Sequence, residues 1–133
     1  MGDNLKHTRI HSLAACLIAW LAVGTATFAH HGTANYETAK AITVKGTVTD
    51  FQFVNPHVQI FWDAKDDAGT MQKWQGELTS PNRLTRAGWS KNSIKPGDTI
   101  TISGYPTKSG AHEIWIQKVV LASGEELPTG MGN

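Results

Sequence analysis

Hydrophobic and polar residues alternate in five short stretches of the chain, and the alternation predicts five β-strands. In the first, Ile42, Val44 and Val48 share one parity while Phe51 and Phe53 share the other. Both sets face inward only if one residue near Thr49 or Asp50 is extra, which predicts a β-bulge and a bent strand. Asn55-Pro56 breaks that strand, and Val58, Ile60 and Trp62 line one face of a second over His57 to Asp63. The turn Asp66-Asp67-Ala68-Gly69 leads to a third strand with Trp74 and Leu78 inward. Lys95-Pro96-Gly97-Asp98 turns the chain into a fourth, Thr99 to Tyr105, with Ile100 and Ile102 inward. A hairpin tip at Lys108-Ser109-Gly110 precedes the fifth, His112 to Leu121.

Between the third and fourth strands the period changes. Ser80-Pro81 opens a short helix, because Ser can cap free N–H groups and Pro at the first helical position lacks only a donor that would be unpaired there. Leu84 and Ala87 lie three apart on its inner side; Gly88 suits the left-handed position past the last turn, with Trp89 packing back as in a Schellman ending. A bent first strand, a meander, a helix after strand three and a closing hairpin give the strand order of an OB-fold, an all-β five-stranded barrel with one short helix. A sandwich would need more strands than about 95 residues supply with the helix intact. The predicted core comprises Val44, Val48, Phe53, Val58, Ile60, Trp62, Trp74, Leu84, Ile100, Ile102, Ile114 and Ile116. After Gly124 the chain is polar and rich in Gly and Pro, which predicts a flexible tail over residues 125–133 behind a barrel domain of residues 30–124.

The first 29 residues belong to no such pattern. Lys6 and Arg9 precede an apolar run from Leu13 to Val23, and Thr27-Phe28-Ala29 places small residues where signal peptidase inspects them. This predicts a signal peptide over residues 1–29, cleavage after Ala29 and a periplasmic or secreted product. The apolar run is too short for a permanent span, so no membrane anchor is expected after cleavage. Leu13-Ala14-Ala15-Cys16 has the look of a lipoprotein site, but there the apolar run must precede the Cys, and here it follows.

The whole chain of 133 residues carries a net charge of +1, and residues 30–133 hold ten basic and ten acidic residues and no Cys. That excludes a disulfide framework, a thiolate zinc site and a dithiol redox motif. Nucleic acid is not an expected partner, because duplex binding rests on clustered Lys and Arg, and here they are interleaved with acids.

Several motifs together resemble domain-of-unknown-function family 6152, a family of small exported bacterial proteins. They are His30-His31-Gly32, Val44-Lys45-Gly46-Thr47-Val48, Asn55-Pro56-His57, Glu77, Ser80-Pro81-Asn82, Arg86-Ala87-Gly88-Trp89 and Lys95-Pro96-Gly97-Asp98. In order, they cover nearly all of residues 30–124. The chain departs from the family pattern at Gly32, where Ser is usual, and at Ala111-His112-Glu113-Ile114-Trp115, where a short polar stretch is usual. The resemblance implies export and a barrel; it implies no activity and no role for His112.

Cleavage after Ala29 makes His30 the first residue. A terminal His offers an amine and a ring nitrogen, a chelate suited to Cu(II) when a second imidazole joins, and it resembles the histidine brace of copper monooxygenases and of some periplasmic copper carriers. His31 offers a competing chelate through the intervening peptide nitrogen. His57 follows a Pro-induced corner on the outward parity. If Trp62 pairs with Trp74, then Glu77 lies directly across from Gln59 and diagonal to His57, about 7–8 Å away, within reach of long side chains. Glu77 can then orient the imidazole or bind metal itself. His30, His31, His57 and Glu77 are therefore the candidate metal ligands, copper ahead of zinc; the bland alternative for His57 is a backbone hydrogen bond at a corner.

Other residues have structural explanations. Arg83 and Arg86 solvate the helix or pair with Glu77 or nearby Asp residues, and Trp115, outward beside His112 and Glu113, covers the barrel edge. No nucleophilic triad, paired-carboxylate motif or Gly-rich phosphate loop is present, so no catalytic residue is assigned. Two function classes remain: an exported metal-binding module, or a metal-free module presenting Trp115, Tyr105 and the loops to a small ligand or an envelope protein.

Overall fold

The predicted bulge is present in β1 (Ile42–Gln52): Val48 lies opposite Trp62 of β2 (Gln59–Lys65), the next pair is Asp50 with Phe61, and Thr49 is left over. The structure, a computed structural model, describes residues 32–130; the predicted signal peptide, His30 and His31 lie outside them. The extra residue bends β1 and switches its inward parity, so Phe51 and Phe53 pack on the same core as Val44 and Val48. The bend also gives β1 two neighbours. Its first half, to Thr47, pairs antiparallel with β4 (Thr99–Pro106), and its second half pairs with β2. At the bulge itself the turn before β4 completes the ladder: the Val48 N–H donates to the Asp98 carbonyl, and the Val48 carbonyl accepts from the Gly97 N–H, both at 2.8 Å.

β3 (Met71–Glu77) pairs antiparallel with β2, Trp62 facing Trp74 and Gln59 facing Glu77 as the sequence predicts. β2 begins two residues later than predicted, at Gln59. Val58 still bonds to β3's extension, through the Thr79 carbonyl and the Leu78 N–H. β5 (Glu113–Leu121) is antiparallel to β4 and parallel to β3, with Gly76 opposite Ile114 and Glu77 opposite Trp115. That parallel pairing closes the sheet β3-β2-β1-β4-β5 on itself. The product is a five-stranded OB-fold barrel.

Of the predicted core positions, nine are buried, and Val44, Phe53 and Trp74 pack against them while partly exposed. Ala64, Leu78, Trp89, Ile94 and Val119 complete the interior. Trp62, fully buried, lies across the barrel where two strands carry no side chain. A Cβ on Gly46 would collide with the Asp63 carbonyl oxygen and stand 2.7 Å from the Trp62 ring; one on Gly76 would stand 3.0 Å from the far side of that ring. The indole N–H has no hydrogen-bond partner among the described residues, a cost that the packing of so large an apolar surface offsets.

The helix α1 (Pro81–Arg86) starts where predicted, but the Ser80 side chain makes no cap bond. The Ser80 carbonyl instead accepts from the N–H groups of Arg83 and Leu84, both at 3.1 Å. Its end is the predicted Schellman turn. Gly88, at φ +96°, donates to the Thr85 carbonyl and Trp89 to the Leu84 carbonyl, both at 3.0 Å. Among the described residues no helix is long and apolar enough to cross a membrane.

Part of the stretch expected as a free tail is pinned. β6 (Glu126–Leu127) pairs antiparallel with Val119 and Val120, and Leu127 packs on the core. The Trp89 indole N–H donates to the Pro128 carbonyl at 2.7 Å, and the Thr129 hydroxyl donates to the Gln117 carbonyl at 3.2 Å. Composition marks this segment as polar, whereas two specific donors and acceptors on the barrel edge hold it.

Ile60→Ala and Ile102→Ala should each cost ~2–5 kcal/mol in chemical denaturation, because both side chains are fully buried. Gly46→Ala should lower the melting temperature as well, since the contact it creates is with backbone that cannot move aside. Unchanged stability in Ile60→Ala and Ile102→Ala would contradict the strand phase.

Candidate functional site

The Asn55–Pro56 peptide is cis; after this corner His57 is partly exposed while Val58 is buried in the core. With Gln59 opposite Glu77, His57 is the diagonal neighbour of Glu77, and the two side chains meet: the ring Nδ1 contacts Glu77 Oε1. Their side chains are 27% and 19% exposed, so the pair is only partly shielded from water. A carboxylate on Nδ1 fixes the orientation of the imidazole and leaves Nε2 as the nitrogen available to a ligand. The contact of His57 with Glu77 is the one the strand parity predicts.

Two further residues, which pattern reasoning passed over, complete the corner. The chain before β1 forms a 3₁₀ turn at Gly32–Asn35, and Tyr36 then bridges to Thr107 in the β4–β5 hairpin. The Tyr36 hydroxyl donates to Glu77 Oε2 at 3.2 Å, and Glu113 Oε1 also accepts from it, at 3.4 Å. Glu77 thus uses one oxygen on the imidazole and the other on the phenol. The parallel β3–β5 seam brings Glu113 to this place, since Glu113 lies opposite Gln75, next but one to Glu77.

Trp115, opposite Glu77, forms the floor. Its ring meets His57 edge-on, with centroids 5.7 Å apart, and Tyr36 at 5.9 Å. Its expected role at the barrel edge is therefore performed under two neighbouring rings. Tyr36 is 6% exposed, and burial first, then the Glu113 and Glu77 carboxylates, push its phenol well above its ordinary value.

The remaining sequence candidates lie elsewhere. His112 stacks on Trp74, centroids 4.7 Å apart, with Trp62 on that ring as well at 6.0 Å. Among the described residues neither Arg83 nor Arg86 pairs with Glu77, whose carboxylate contacts His57 and Tyr36 instead. His30 and His31 lie outside the described residues. Among those described, no group of three or more His, Cys, Asp or Glu side chains is arranged to hold a metal ion.

The fold and this corner define an OB-fold barrel with a His–Glu–Tyr cluster on its closure seam. The chain belongs to a family of unknown function, DUF6152, whose pattern matches residues 19–114. No curated protein matches it. Among solved structures, the mitochondrial single-stranded DNA-binding protein Rim1 from S. cerevisiae is similar with a TM-score of 0.48 at 6% identity, over 62% of this chain and 93% of that one. A structure of yeast Stn1 and Ten1 has a TM-score of 0.42 at 13% identity, over 68% of this chain; the match spans 49% of that chain.

The Tyr36 phenol, ordinarily near 10.0, should ionise only well above that value in the folded protein. A raised value means that the neutral phenol is the form the fold favours. Its contribution is whole below pH 10.0 and is lost as pH rises through the folded value. Phenolate absorbance in an alkaline titration reads this directly. Tyr36→Phe should remove the late step; a parent protein whose tyrosines all ionise near pH 10.0 would contradict the buried, carboxylate-bound phenol.

Proposed function

We propose that the protein is an exported barrel that binds one transition-metal ion, copper ahead of zinc, through His57 together with His30 and His31, for buffering or delivery. Glu77 braces His57 in this reading and keeps a negative charge close to the cation. The observation that carries it is the double use of Glu77. One oxygen holds the His57 ring, and the other holds Tyr36, a residue only five positions after His31. The residues between them, Gly32–Asn35, form a 3₁₀ turn rising roughly 2 Å per residue, so a single short turn separates His31 from Tyr36.

The ligand chemistry favours copper. An amine, a peptide nitrogen and imidazoles are nitrogen donors of the kind Cu(II) prefers, and none of the candidate ligands is a thiolate. Nucleic acid is not part of this proposal, because the basic and acidic residues balance over residues 30–133.

Two measurements test it. The intact mass of the exported protein should correspond to a chain beginning at His30; a start at Thr27 would remove the amine from His30 and with it the terminal chelate. Copper titration of that protein should show one site, with weaker binding in His57→Ala and in a version with one extra residue before His30. Affinity should fall on acidification as the imidazoles and amine take up protons in competition with metal. Equal affinity in all three proteins would mean nonspecific chelation, and the metal-free binding module would replace this reading.

A further inference from the structure

We propose that the outer face of the barrel across β1, β2, β3 and β5 is a saccharide-binding groove, with the Phe61 ring as its stacking platform. It uses none of the ligands of the metal-binding reading above, so the two stand or fall separately. The β-ladders set four side chains in one row, one from each strand: Asp50 faces Phe61, Phe61 faces Gln75, and Gln75 faces Glu113. Ile60 and Trp62 on either side of Phe61 are fully buried, so strand alternation turns the phenyl ring outward, where it is partly exposed and stands apart from the core cluster. Two hollows of about 370 and 350 Å³ adjoin there. Both have Phe61 and Lys73 in their walls, and they run on to Asp50 and Asp63 on one side and to Gln75 and Glu113 on the other. Their size is that of small-molecule sites. Trp115 lies under two rings in the neighbouring corner, whereas among the described residues no ring stacks on Phe61.

The charges around the ring select the ligand class. Asp50 has both oxygens engaged on its own strand, where the Phe51 N–H donates to Oδ1 at 2.8 Å and the Gln52 amide to Oδ2 at 2.9 Å. Glu113 accepts from the Tyr36 hydroxyl. That leaves Asp63 and Lys73, one charge of each sign, directly opposed on β2 and β3 yet forming no ion pair among the described residues. The unengaged charge of the groove sums to zero, so neither a polycation nor a polyanion meets a net field to follow. An apolar ring surrounded by acceptors, an amide and an ammonium suits a neutral ligand with one apolar face and a rim that both donates and accepts. A pyranose has both: its C–H groups carry partial positive charge toward the negative face of a phenyl ring, and each hydroxyl donates once and accepts. Three inter-strand steps of about 4.8 Å put Asp50 and Glu113 roughly 14 Å apart along the sheet, a span for a short oligosaccharide rather than a single sugar ring.

Cellohexaose, maltohexaose and fully N-acetylated chitohexaose are titrated by calorimetry into the intact, metal-free protein and into Phe61→Ala, Phe61→Tyr and Gln75→Ala, with pentalysine and oligodeoxythymidine as charged probes. At least one of the three sugars should bind the parent with a Kd of about 1 mM or tighter. Phe61→Ala should melt like the parent, because the ring is outside the core, and should weaken that sugar by about tenfold or more. Phe61→Tyr keeps the flat face and should bind like the parent. Gln75→Ala leaves the ring in place and should weaken binding severalfold, which keeps the test open should Phe61→Ala fail to fold. Sugar affinity should be the same at low and high salt, since no ion pair forms with a neutral ligand. A parent that binds none of the sugars overturns the proposal, and so does equal sugar affinity in the parent, Phe61→Ala and Gln75→Ala. Binding of pentalysine or oligodeoxythymidine in place of sugar, fading as salt rises, would assign the groove to a charged partner and overturn it as well.

Discussion

Five short strands can bury one apolar face only by closing on themselves, and closure here depends on the bend that the unpaired Thr49 puts into β1. Without the extra residue, Phe51 and Phe53 would point away from the face that Val44 and Val48 occupy, because side-chain parity alternates strictly along a strand. With it, one strand lines the core along its whole length and pairs with β4 on one side and β2 on the other. Trp62 fills the space so enclosed. Gly46 on β1 and Gly76 on β3 leave room beside its ring, the second also for the Ile116 side chain, so the bend, the large ring and the missing side chains belong to one packing arrangement.

The same closure builds the candidate site. β3 and β5 are far apart in sequence and meet as a short parallel pair, and that pair sets Glu77, Glu113 and Trp115 side by side. Two carboxylates held this close, partly away from water, call for donors. They receive an imidazole from the β1–β2 corner and a phenol from the chain before β1. The resulting cluster joins four parts of the chain through hydrogen bonds to carboxylates, which are stronger and more directional than neutral ones. It also occupies the aromatic surface of Trp115 that the metal-free reading would have offered to a ligand, and this lowers the appeal of that reading at this face.

Most of the fold is legible in the order of residues, for identifiable reasons. The parity break between Val48 and Phe51 shows the bulge, the alternation through Trp62 and Trp74 shows the register of the β2–β3 hairpin, and Gly88 with Trp89 shows the helix end. The contact of His57 with Glu77 follows from that hairpin register alone. Tyr36 and Glu113 could not be found in the same way. Tyr36 lies in a stretch without periodicity, and its one signal is that it is the single aromatic residue between the predicted cleavage site and β1. Ser80 shows the opposite failure: a residue type suited to capping stands at the right place, yet the backbone alone satisfies that turn.

By itself, then, the sequence determined the strands, their inward faces, the bend, the helix and one side-chain pair, because each follows from local periodicity, turn chemistry or hairpin register. Tertiary structure alone decided that β3 and β5 adjoin in parallel, that the segment around β6 lies on Val119 and Val120, and that Tyr36 reaches Glu77. Those contacts join residues as many as 41 positions apart. No short-range pattern encodes them; they exist because a bent sheet, once closed, brings its first and last elements to the same seam.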